Sequence, residues 1–277
     1  MAVTWLASYP KSGNTWVRAL LTAYREARAD INALDGASLI HSRHLFDDHM
    51  GVSSSEMTPA ELERARPAFH VRFAETTRPP FFVKVHDSFH GAATGEPLFP
   101  AEASQGAIYV ARNPLDVAVS YAHHEARGID RIIDRMADPS AALDQWQGRI
   151  SSALPQVLST WSAHVTGWLD QTVTPVHLVT YEALSATPRA AFAELLRFTG
   201  LEVDDARLDA AIAATQFEAL KAQEGAAGFR EKTQLSGSFF RKGVVGDWRR
   251  VLSPEQADRI IRDHGRVMAR LGYLDQA

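Results

Sequence analysis

The chain has 277 residues, no cysteine and a formal net charge of -4 at pH 7. Its length is enough for one large hydrophobic core, and the lack of cysteine excludes disulfides, thiolate nucleophiles and cysteine-bound metals. The small negative charge argues against general electrostatic binding to nucleic acid or to an anionic membrane. We therefore predict a single domain over residues 1–277, in which any anion site is a local cluster of basic residues.

The N-terminal segment lacks the features of a secretory signal peptide. Residues 1–8 carry no basic start, and the apolar run is interrupted at once by Pro10 and Lys11. No later segment approaches the length that spans a bilayer. These features predict a cytoplasmic protein that does not insert into membranes.

Short apolar runs alternate with helical patterns along the chain. The predicted elements, in chain order, are a strand at 3–7, a helix at 15–27, strands at 81–85 and 107–111, a helix at 115–124, a strand at 176–180 and a helix at 188–199. Such alternation is typical of an α/β fold with a mostly parallel sheet covered by helices on both faces. Ligands of these folds bind beyond the carboxyl ends of the strands.

A first basic cluster lies between the first predicted strand and the first predicted helix, at residues 11–15. Free backbone N–H groups at a helix start favour an anion, and Lys11 adds a full positive charge. The lysine precedes Gly13, unlike in the usual P-loop, and no acidic partner for Mg²⁺ follows a later strand, which weakens a kinase interpretation. On these residues alone, a plain turn in which Thr15 caps the helix explains the pattern equally well.

Two further basic clusters follow later in the chain. Arg112 comes directly after a predicted strand and Ser120 lies eight residues further on, so a guanidinium and a hydroxyl could converge on one phosphate. Taken alone, Arg112 fits a solvated surface residue as well. The string from Phe239 to Trp248 places two cations beside a glycine whose backbone can approach a phosphate closely.

Three motifs therefore stand in order along the chain. They are Tyr9-Pro10-Lys11-Ser12-Gly13, then Tyr109-Val110-Ala111-Arg112-Asn113-Pro114 followed by Asp116-Val117-Ala118-Val119-Ser120-Tyr121, and finally Arg241-Lys242-Gly243 followed by Gly246-Asp247-Trp248. Together they resemble the signatures of the sulfotransferases that use 3′-phosphoadenosine 5′-phosphosulfate (PAPS). The resemblance implies a P-loop-kinase-like sulfotransferase fold, with acceptor-side insertions at about 30–75 and 123–160 and a mobile loop at about 222–243.

The same resemblance implies an activity and a set of donor-binding residues. The enzyme would move a sulfuryl group from PAPS to a hydroxyl or amine of a small-molecule acceptor, releasing adenosine 3′,5′-bisphosphate and using no metal. The residues implied to hold the 5′-phosphosulfate are Lys11, Ser12, Gly13, Asn14 and Thr15. Those implied to hold the 3′-phosphate are Arg112, Ser120, Arg241, Lys242 and Gly243. Those implied to line the adenine base or the rest of the donor site are Trp16, Tyr181, Thr215, Phe217 and Phe240, although core packing explains Phe217 equally well.

The predicted strand that ends near residue 85 carries a further pair of polar side chains. Alternation along a strand puts Lys84 and His86 on one face. The sulfotransferases have Lys-Thr-His here, so the resemblance implies that His86 is the general base for the acceptor proton. Lys84 and Lys11 would then stabilise the transferring sulfuryl group and the leaving phosphate. Asp87 is unusual after the histidine, and we predict that it either orients an acceptor amine or tunes the base.

The acceptor site is predicted less sharply. Its expected walls are residues 41–48, 123–125 and 225–240, whose histidines, acids and aromatic side chains suit a small polar-aromatic or amphiphilic molecule. His41, His44 and His49 could mimic a metal cluster, but surface histidines fit their spacing better.

Two other classes of function remain open. One is a small-molecule kinase that needs Mg²⁺, and the other is a noncatalytic nucleotide-binding module, against which the Lys84 and His86 pair argues. After Trp248 the dimerisation segment of the sulfotransferases is poorly matched by Ser253-Pro254 and its neighbours. We therefore predict a monomer or a weak homodimer.

Overall fold

The structure is a computed structural model that describes residues 2–34, 36, 39–78, 81–92, 95–145, 150–233 and 237–274. Over these ranges the chain is an α/β protein. Its strands are β1 (Val3–Ala7), β2 (Phe82–Val85), β3 (Ser104–Ala111), β4 (Ala142–Leu143), β5 (Gln156–Val157) and β6 (Val176–Thr180).

The helices occupy most of the remaining described residues. They are α1 (Asn14–Glu26), α2 (Arg43–Met50), α3 (Pro59–Glu75), α4 (Pro114–Glu125), α5 (Ile129–Ala137), α6 (Trp161–Asp170), α7 (Tyr181–Ala186), α8 (Pro188–Phe198), α9 (Asp205–Ala214), α10 (Phe217–Ala227), α11 (Trp248–Val251) and α12 (Pro254–Arg270). Among the described residues, no helix is both long and apolar enough to span a bilayer.

Four strands form one sheet in the order β2-β1-β3-β6. β1 pairs in parallel with β2, where Thr4 lies opposite Phe82, and in parallel with β3, where Leu6 lies opposite Ile108. All five residues of β1 are buried, as expected for a parallel strand covered on both faces. The carboxyl ends of β1 and β2 therefore lie at the same edge of the sheet.

Contacts between Cα atoms divide the chain into two compact units. The first unit comprises Met1–Tyr9, Gly36–Tyr109 and Pro139–Leu178, and the second comprises Pro10–Asp35, Val110–Asp138 and Val179–Ala277. The strands β3 and β6 each begin in the first unit and end in the second. That residues 1–277 act as a single domain stays a prediction.

The core of the first unit is built on aromatic side chains. Phe99 packs between Trp5 and Trp168, with ring centroids 5.0 and 4.8 Å away, and all three side chains are buried. Burial of a side chain such as Phe99 contributes roughly 1.5–3 kcal/mol. The Trp5 indole N–H donates to the Ser104 hydroxyl at 2.8 Å, so this large side chain is buried without losing its hydrogen bond.

The second unit contains an apolar cluster that anchors the segment before the third motif. Its buried members are Ala19, Ile31, Leu34, Leu220, Phe229 and Phe240, and Trp16, Phe217 and Phe239 pack against it. Glu224 on α10 adds a polar anchor, because its carboxylate accepts hydrogen bonds from the backbone N–H groups of Phe239 and Phe240 at 2.6 and 2.9 Å. The residues immediately before Arg241 are thus held by apolar packing and by a carboxylate.

Most of the predicted elements are confirmed, with boundaries that agree or differ by one residue except at the start of β3. The strands at 3–7 and 176–180 have the predicted limits. β3 begins at Ser104, three residues earlier than predicted, because pairing with β1 holds Ser104 and Gly106 extended despite their weak strand propensity. The loop predicted from about residue 222 begins later, since α10 continues to Ala227.

Candidate active site

The loop that follows β1 has the conformation of an anion-binding turn. Lys11 and Gly13 both have positive φ angles, of 67° and 109°, and α1 has no side-chain cap at its start. The side chains of Ser12, Asn14 and Thr15 are buried. Within the described residues, the buried Ser12 hydroxyl has no hydrogen-bond partner. A helix start that no side chain caps, together with a buried hydroxyl that has no partner among the described residues, is suited to a phosphate or sulfate group.

Gly13 tolerates no side chain at this position. An added Cβ would lie 2.8 Å from Cδ2 of Tyr181, and the φ angle of 109° is unfavourable for any L-residue. We expect Gly13→Ala to lower the free energy of unfolding by about 1–3 kcal/mol and to weaken nucleotide binding, as measured by urea unfolding and calorimetry. Gly51→Ala is the matched control, because Gly51 has a φ angle of 68° but no atom near its added Cβ. Equal effects of both variants on nucleotide binding would contradict the assignment.

Arg112 at the end of β3 is buried rather than solvated. Its guanidinium carbon lies 4.1 Å from the centroid of the Tyr181 ring, and Nη2 donates to the carbonyl of Val244 at 3.2 Å. Nη1 lies 3.5 Å from the carbonyl of Lys11. Arg112 is 9% exposed, and its Nε has no partner among the described residues. The guanidinium is therefore fixed between the first and third motifs, and its Nε–H is still available to donate a hydrogen bond.

The third motif is hydrogen-bonded to a carboxylate of the second motif for which the sequence predicts no role. Asp116 on α4 accepts hydrogen bonds from the backbone N–H groups of Gly246 and Trp248, at 2.7 and 3.0 Å. The hydroxyl of Tyr181 donates to the carbonyl of Gly243 at 3.0 Å. All three motifs thus meet around Arg112 and Tyr181 within the second unit, apart from Tyr9 and Tyr109, which belong to the first.

The two cations of the third motif share one internal counter-ion. Asp247, with a side chain only 2% exposed, pairs with Arg241 at 2.5 Å, with Lys242 at 3.0 Å and with Arg250 at 2.9 Å. Burial alone would raise the pKa of Asp247, but hydrogen bonds from Lys242, Arg241 and Arg250 hold it well below the usual range of a carboxyl group. Three cations around one carboxylate leave an excess of positive charge for an added anion.

The remaining predicted donor residues lie in the same unit but differ in their surroundings. Trp16 meets the Tyr181 ring edge-on at a centroid distance of 5.4 Å. The ring of Phe217 fills the space that a Cβ on Gly243 would need, so Phe217 is both a packing residue and a neighbour of the third motif. The Thr215 hydroxyl is buried and donates to the carbonyl of Ala211 at 2.8 Å. A contact between Thr215 and an adenine base stays a prediction.

For two further predicted residues, Ser120 and Phe240, contact with the donor stays a prediction. Ser120 is half-buried on α4, two turns beyond the Arg112 region. Phe240 is 8% exposed within the apolar cluster of the second unit, so packing accounts for its position.

His86 lies in the first unit, immediately after β2. Its Nδ1–H donates to the backbone carbonyl of Ser8 at 2.8 Å, which leaves the lone pair on Nε2. Desolvation of the ring and the nearby charge of Lys84 lower the pKa of His86 well below its usual value, so the ring is neutral at neutral pH. Lys84 and His86 are half-buried while Val85 between them is fully buried, as strand alternation predicts. A neutral imidazole with a defined tautomer can accept a proton.

The Asp87 carboxylate points into the protein, so the prediction that it orients an acceptor amine is wrong, whereas its predicted influence on the base stays a prediction. Its side chain is completely buried, with both carboxylate oxygens bound by Arg66 at 3.0 and 2.7 Å. His41 donates to the same carboxylate at 2.8 Å, and the backbone N–H of Val157 at 3.0 Å. Burial opposes its charge, but Arg66 and His41 hold the pKa of Asp87 far below its usual range.

The expected acceptor walls belong to different units, with residues 41–48 in the first and residues 123–125 and 225–240 in the second. Among residues 41–48, His41 is buried and Phe46 packs against Phe69 at 5.2 Å, so neither is a surface residue. Among the described residues, no group of His, Asp and Glu side chains could hold a metal ion. The other two walls do meet, because Nε2–H of His123 donates to the carbonyl of Ser238 at 3.0 Å. Residues 234–236 of the third wall lie outside the described residues.

The ammonium group of Lys11 lies over an aromatic ring of that third wall. Its Nζ is 3.8 Å from the centroid of Phe239. Phe239 in turn packs edge-on against Phe229 at 4.7 Å. The segment before the third motif therefore contacts the side chain of the first motif.

These features define an α/β protein with an anion-binding turn at the start of α1 and two further basic motifs around it. The sulfotransferase domain family model matches residues 3–272. Human sulfotransferase 1C2 is 27% identical over 273 residues, covering 95% of this chain and 82% of the relative. Dog sulfotransferase 1A1 is 27% identical over 280 residues, covering 96% and 83%.

Solved structures support the fold. The structure of mouse sulfotransferase SULT7A1 complexed with PAP matches with a TM-score of 0.61 at 20% identity, covering 97% of this chain and 85% of that one. Retinol dehydratase in complex with androsterone and inactive cofactor PAP also gives 0.61, at 17% identity, covering 96% and 80%. Because the family model spans nearly the whole chain, the protein belongs to the sulfotransferase domain family. It is a sulfotransferase enzyme.

Proposed function

We propose that this enzyme transfers the sulfuryl group of PAPS to a hydroxyl or amine of a small-molecule acceptor and releases adenosine 3′,5′-bisphosphate. One observation carries the donor assignment most strongly. Two buried hydrogen-bonding groups, the Ser12 hydroxyl of the first motif and the Arg112 Nε of the second, have no hydrogen-bond partner among the described residues. Buried polar groups are normally hydrogen-bonded, so unsatisfied donors beside a helix start indicate a site for an anionic ligand.

The donor would be held by its two phosphate-bearing ends. The 5′-phosphosulfate is assigned to the turn formed by Lys11, Ser12 and Gly13, where backbone donors and the start of α1 favour negative charge. The 3′-phosphate is assigned to Arg112 together with Arg241 and Lys242, where cations outnumber the Asp247 carboxylate. Fixed cations can stabilise the leaving phosphate without any rearrangement during transfer.

His86 would take the acceptor proton on Nε2. The Nδ1–H bond to Ser8 keeps that nitrogen unprotonated, and the lowered pKa keeps the ring neutral at neutral pH. As the proton moves to Nε2, the acceptor oxygen or nitrogen forms its bond to sulfur, and the bond between sulfur and the 5′-phosphate oxygen breaks. Lys84 and Lys11 would carry the compensating positive charge near the transferring group.

A thermal-shift titration tests the donor assignment without knowledge of the acceptor. We expect adenosine 3′,5′-bisphosphate to stabilise the protein more than AMP or ATP with Mg²⁺. At about a hundred times its dissociation constant, a ligand adds roughly 2.7 kcal/mol of stability. Stronger stabilisation by ATP with Mg²⁺ would favour a kinase, and equal stabilisation by AMP and the bisphosphate would remove the 3′-phosphate site.

A further inference from the structure

The segment after β2 is fixed by a buried charge cluster in the first unit. The carboxylate of Asp87 makes paired hydrogen bonds to the Arg66 guanidinium, and it accepts further bonds from His41 and from the backbone of Val157. The side chains of Asp87, Arg66 and His41 are 0%, 2% and 3% exposed. One carboxylate therefore joins α3, the segment before α2 and β5 at the residue that follows His86.

One face of α6 holds the backbone of the same segment. His164 donates from Nε2 to the carbonyl of His86 at 3.0 Å, and Trp168 donates from Nε1 to the carbonyl of Asp87 at 2.9 Å. Between them, Gly167 allows a close approach, because a Cβ there would lie 2.7 Å from the carbonyl oxygen of Phe89. The tautomer of His164 is fixed in turn, since Tyr109 lies with its hydroxyl 2.8 Å from Nδ1.

A buried ion pair is an unexpected way to hold a strand end that needs only stability. Apolar residues of similar volume often stabilise a fold as well as a buried pair does, because the pair loses its hydration. The pair adds a fixed orientation, because a planar guanidinium and a carboxylate form paired hydrogen bonds in one geometry. Asp87 is covalently adjacent to His86, so a fixed carboxylate limits how far the His86 backbone can rotate.

We propose that Asp87, clamped by Arg66 and His41, is a positioning residue that keeps the His86 ring in hydrogen bond with Ser8 and its Nε2 available to the acceptor. This inference rests on the proposed role of His86 as the base. Neither Arg66 nor His41 contacts the substrate in this proposal. Both act through Asp87, and Asp87 acts through the backbone and ring of His86.

Long-range ¹H–¹⁵N spectra of the histidine side chains test the proposal without an acceptor. The His86 signals are assigned with His86→Gln. In the parent protein we expect a single Nδ1–H tautomer for His86 near neutral pH. In Asp87→Asn we expect loss of that single tautomer and signals shifted towards an average of two tautomers. His70→Asn is the matched control and should keep the single His86 tautomer. His70 is also fully buried, but its ring binds the carbonyl of Leu98 and not Asp87.

A second variant covers the case in which Asp87→Asn fails to fold. The double change Asp87→Leu with Arg66→Met removes both charges of the clamp and leaves no buried charge unpaired. We expect this protein to fold, by circular dichroism and thermal melting, and to bind adenosine 3′,5′-bisphosphate like the parent. We also expect it to lose the single His86 tautomer and, with an acceptor in hand, roughly 100-fold or more of kcat with little change in the KM for the donor.

The outcomes separate this inference from the proposed function. An unchanged His86 tautomer in a folded Asp87→Asn or double variant would overturn the positioning role and leave the base assignment intact. An active His86→Ala enzyme would overturn the base assignment itself, whatever the spectra show. A kcat of the double variant equal to that of the parent would also overturn the positioning role, because the clamp would then serve stability alone.

Discussion

Replacing His86 by alanine is expected to lower turnover by roughly 10²- to 10⁴-fold, the usual contribution of a positioned general base. The affinity for adenosine 3′,5′-bisphosphate should stay close to that of the parent, because the residues assigned to that nucleotide belong to the anion-binding turn and the two later basic motifs. The measurement is steady-state turnover of PAPS with an acceptor found by screening, alongside calorimetry with the bisphosphate.

The matched control for this variant is His49→Ala. His49 is also a half-buried histidine of the first unit whose Nδ1–H donates to a backbone carbonyl, that of Leu45 at 2.9 Å, but it lies on α2 and outside the expected acceptor walls. It should keep full turnover. A His86→Ala enzyme as active as the control would remove the base from the mechanism and leave Lys84 and Lys11 as the assigned catalytic groups.

Replacing Arg112 by methionine is expected to weaken binding of adenosine 3′,5′-bisphosphate by roughly 10- to 100-fold. Hydrogen bonds to a charged group contribute about 1.5–3 kcal/mol, and a buried guanidinium is a strong partner for phosphate. The affinity for AMP, which lacks the 3′-phosphate, should change much less. Calorimetry with both nucleotides on both proteins gives the coupling between Arg112 and the 3′-phosphate directly.

Arg112 also packs on Tyr181, so its loss could act through stability. Arg189→Met is the control for a general loss of positive charge, because Arg189 is 53% exposed and pairs with Asp205 and Asp209. Lys242→Ala is a second test at a more exposed cation, with a side chain 45% exposed. If both Arg112→Met and Lys242→Ala weakened the binding of AMP as much as the binding of the bisphosphate, the 3′-phosphate assignment would be wrong.

The fold class and the donor motifs could be predicted from local sequence. Short apolar runs that meet glycine and proline turns set the strands at 3–7 and 176–180 within the correct limits. The turn at residues 11–15 is equally local, because Gly13 and the start of α1 follow one another directly in the chain. Such features depend on neighbours along the sequence, which is why they are visible without coordinates.

Several residues that organise the site could not be predicted in this way. Asp116 stands inside the second motif, yet only the structure shows that it accepts hydrogen bonds from the third motif, 130 and 132 residues later in the chain. Glu224 carries no motif signal, and its bonds to the backbone of Phe239 and Phe240 depend on how α10 packs. His41 and Phe46 belong to a polar-looking stretch, but tertiary packing buries both.

Asp87 shows most clearly which features the sequence determined and which only the tertiary structure decided. The sequence by itself determined that a carboxylate follows the candidate base, and it determined the turn, the basic motifs and the alternation that sets Lys84 beside His86. Only the tertiary structure decided that the Asp87 carboxylate points into the protein, because its partners Arg66 and His41 come from distant segments. The cost of burying a charge is met by partners that local sequence cannot reveal, so charge pairing in the interior is settled by the fold.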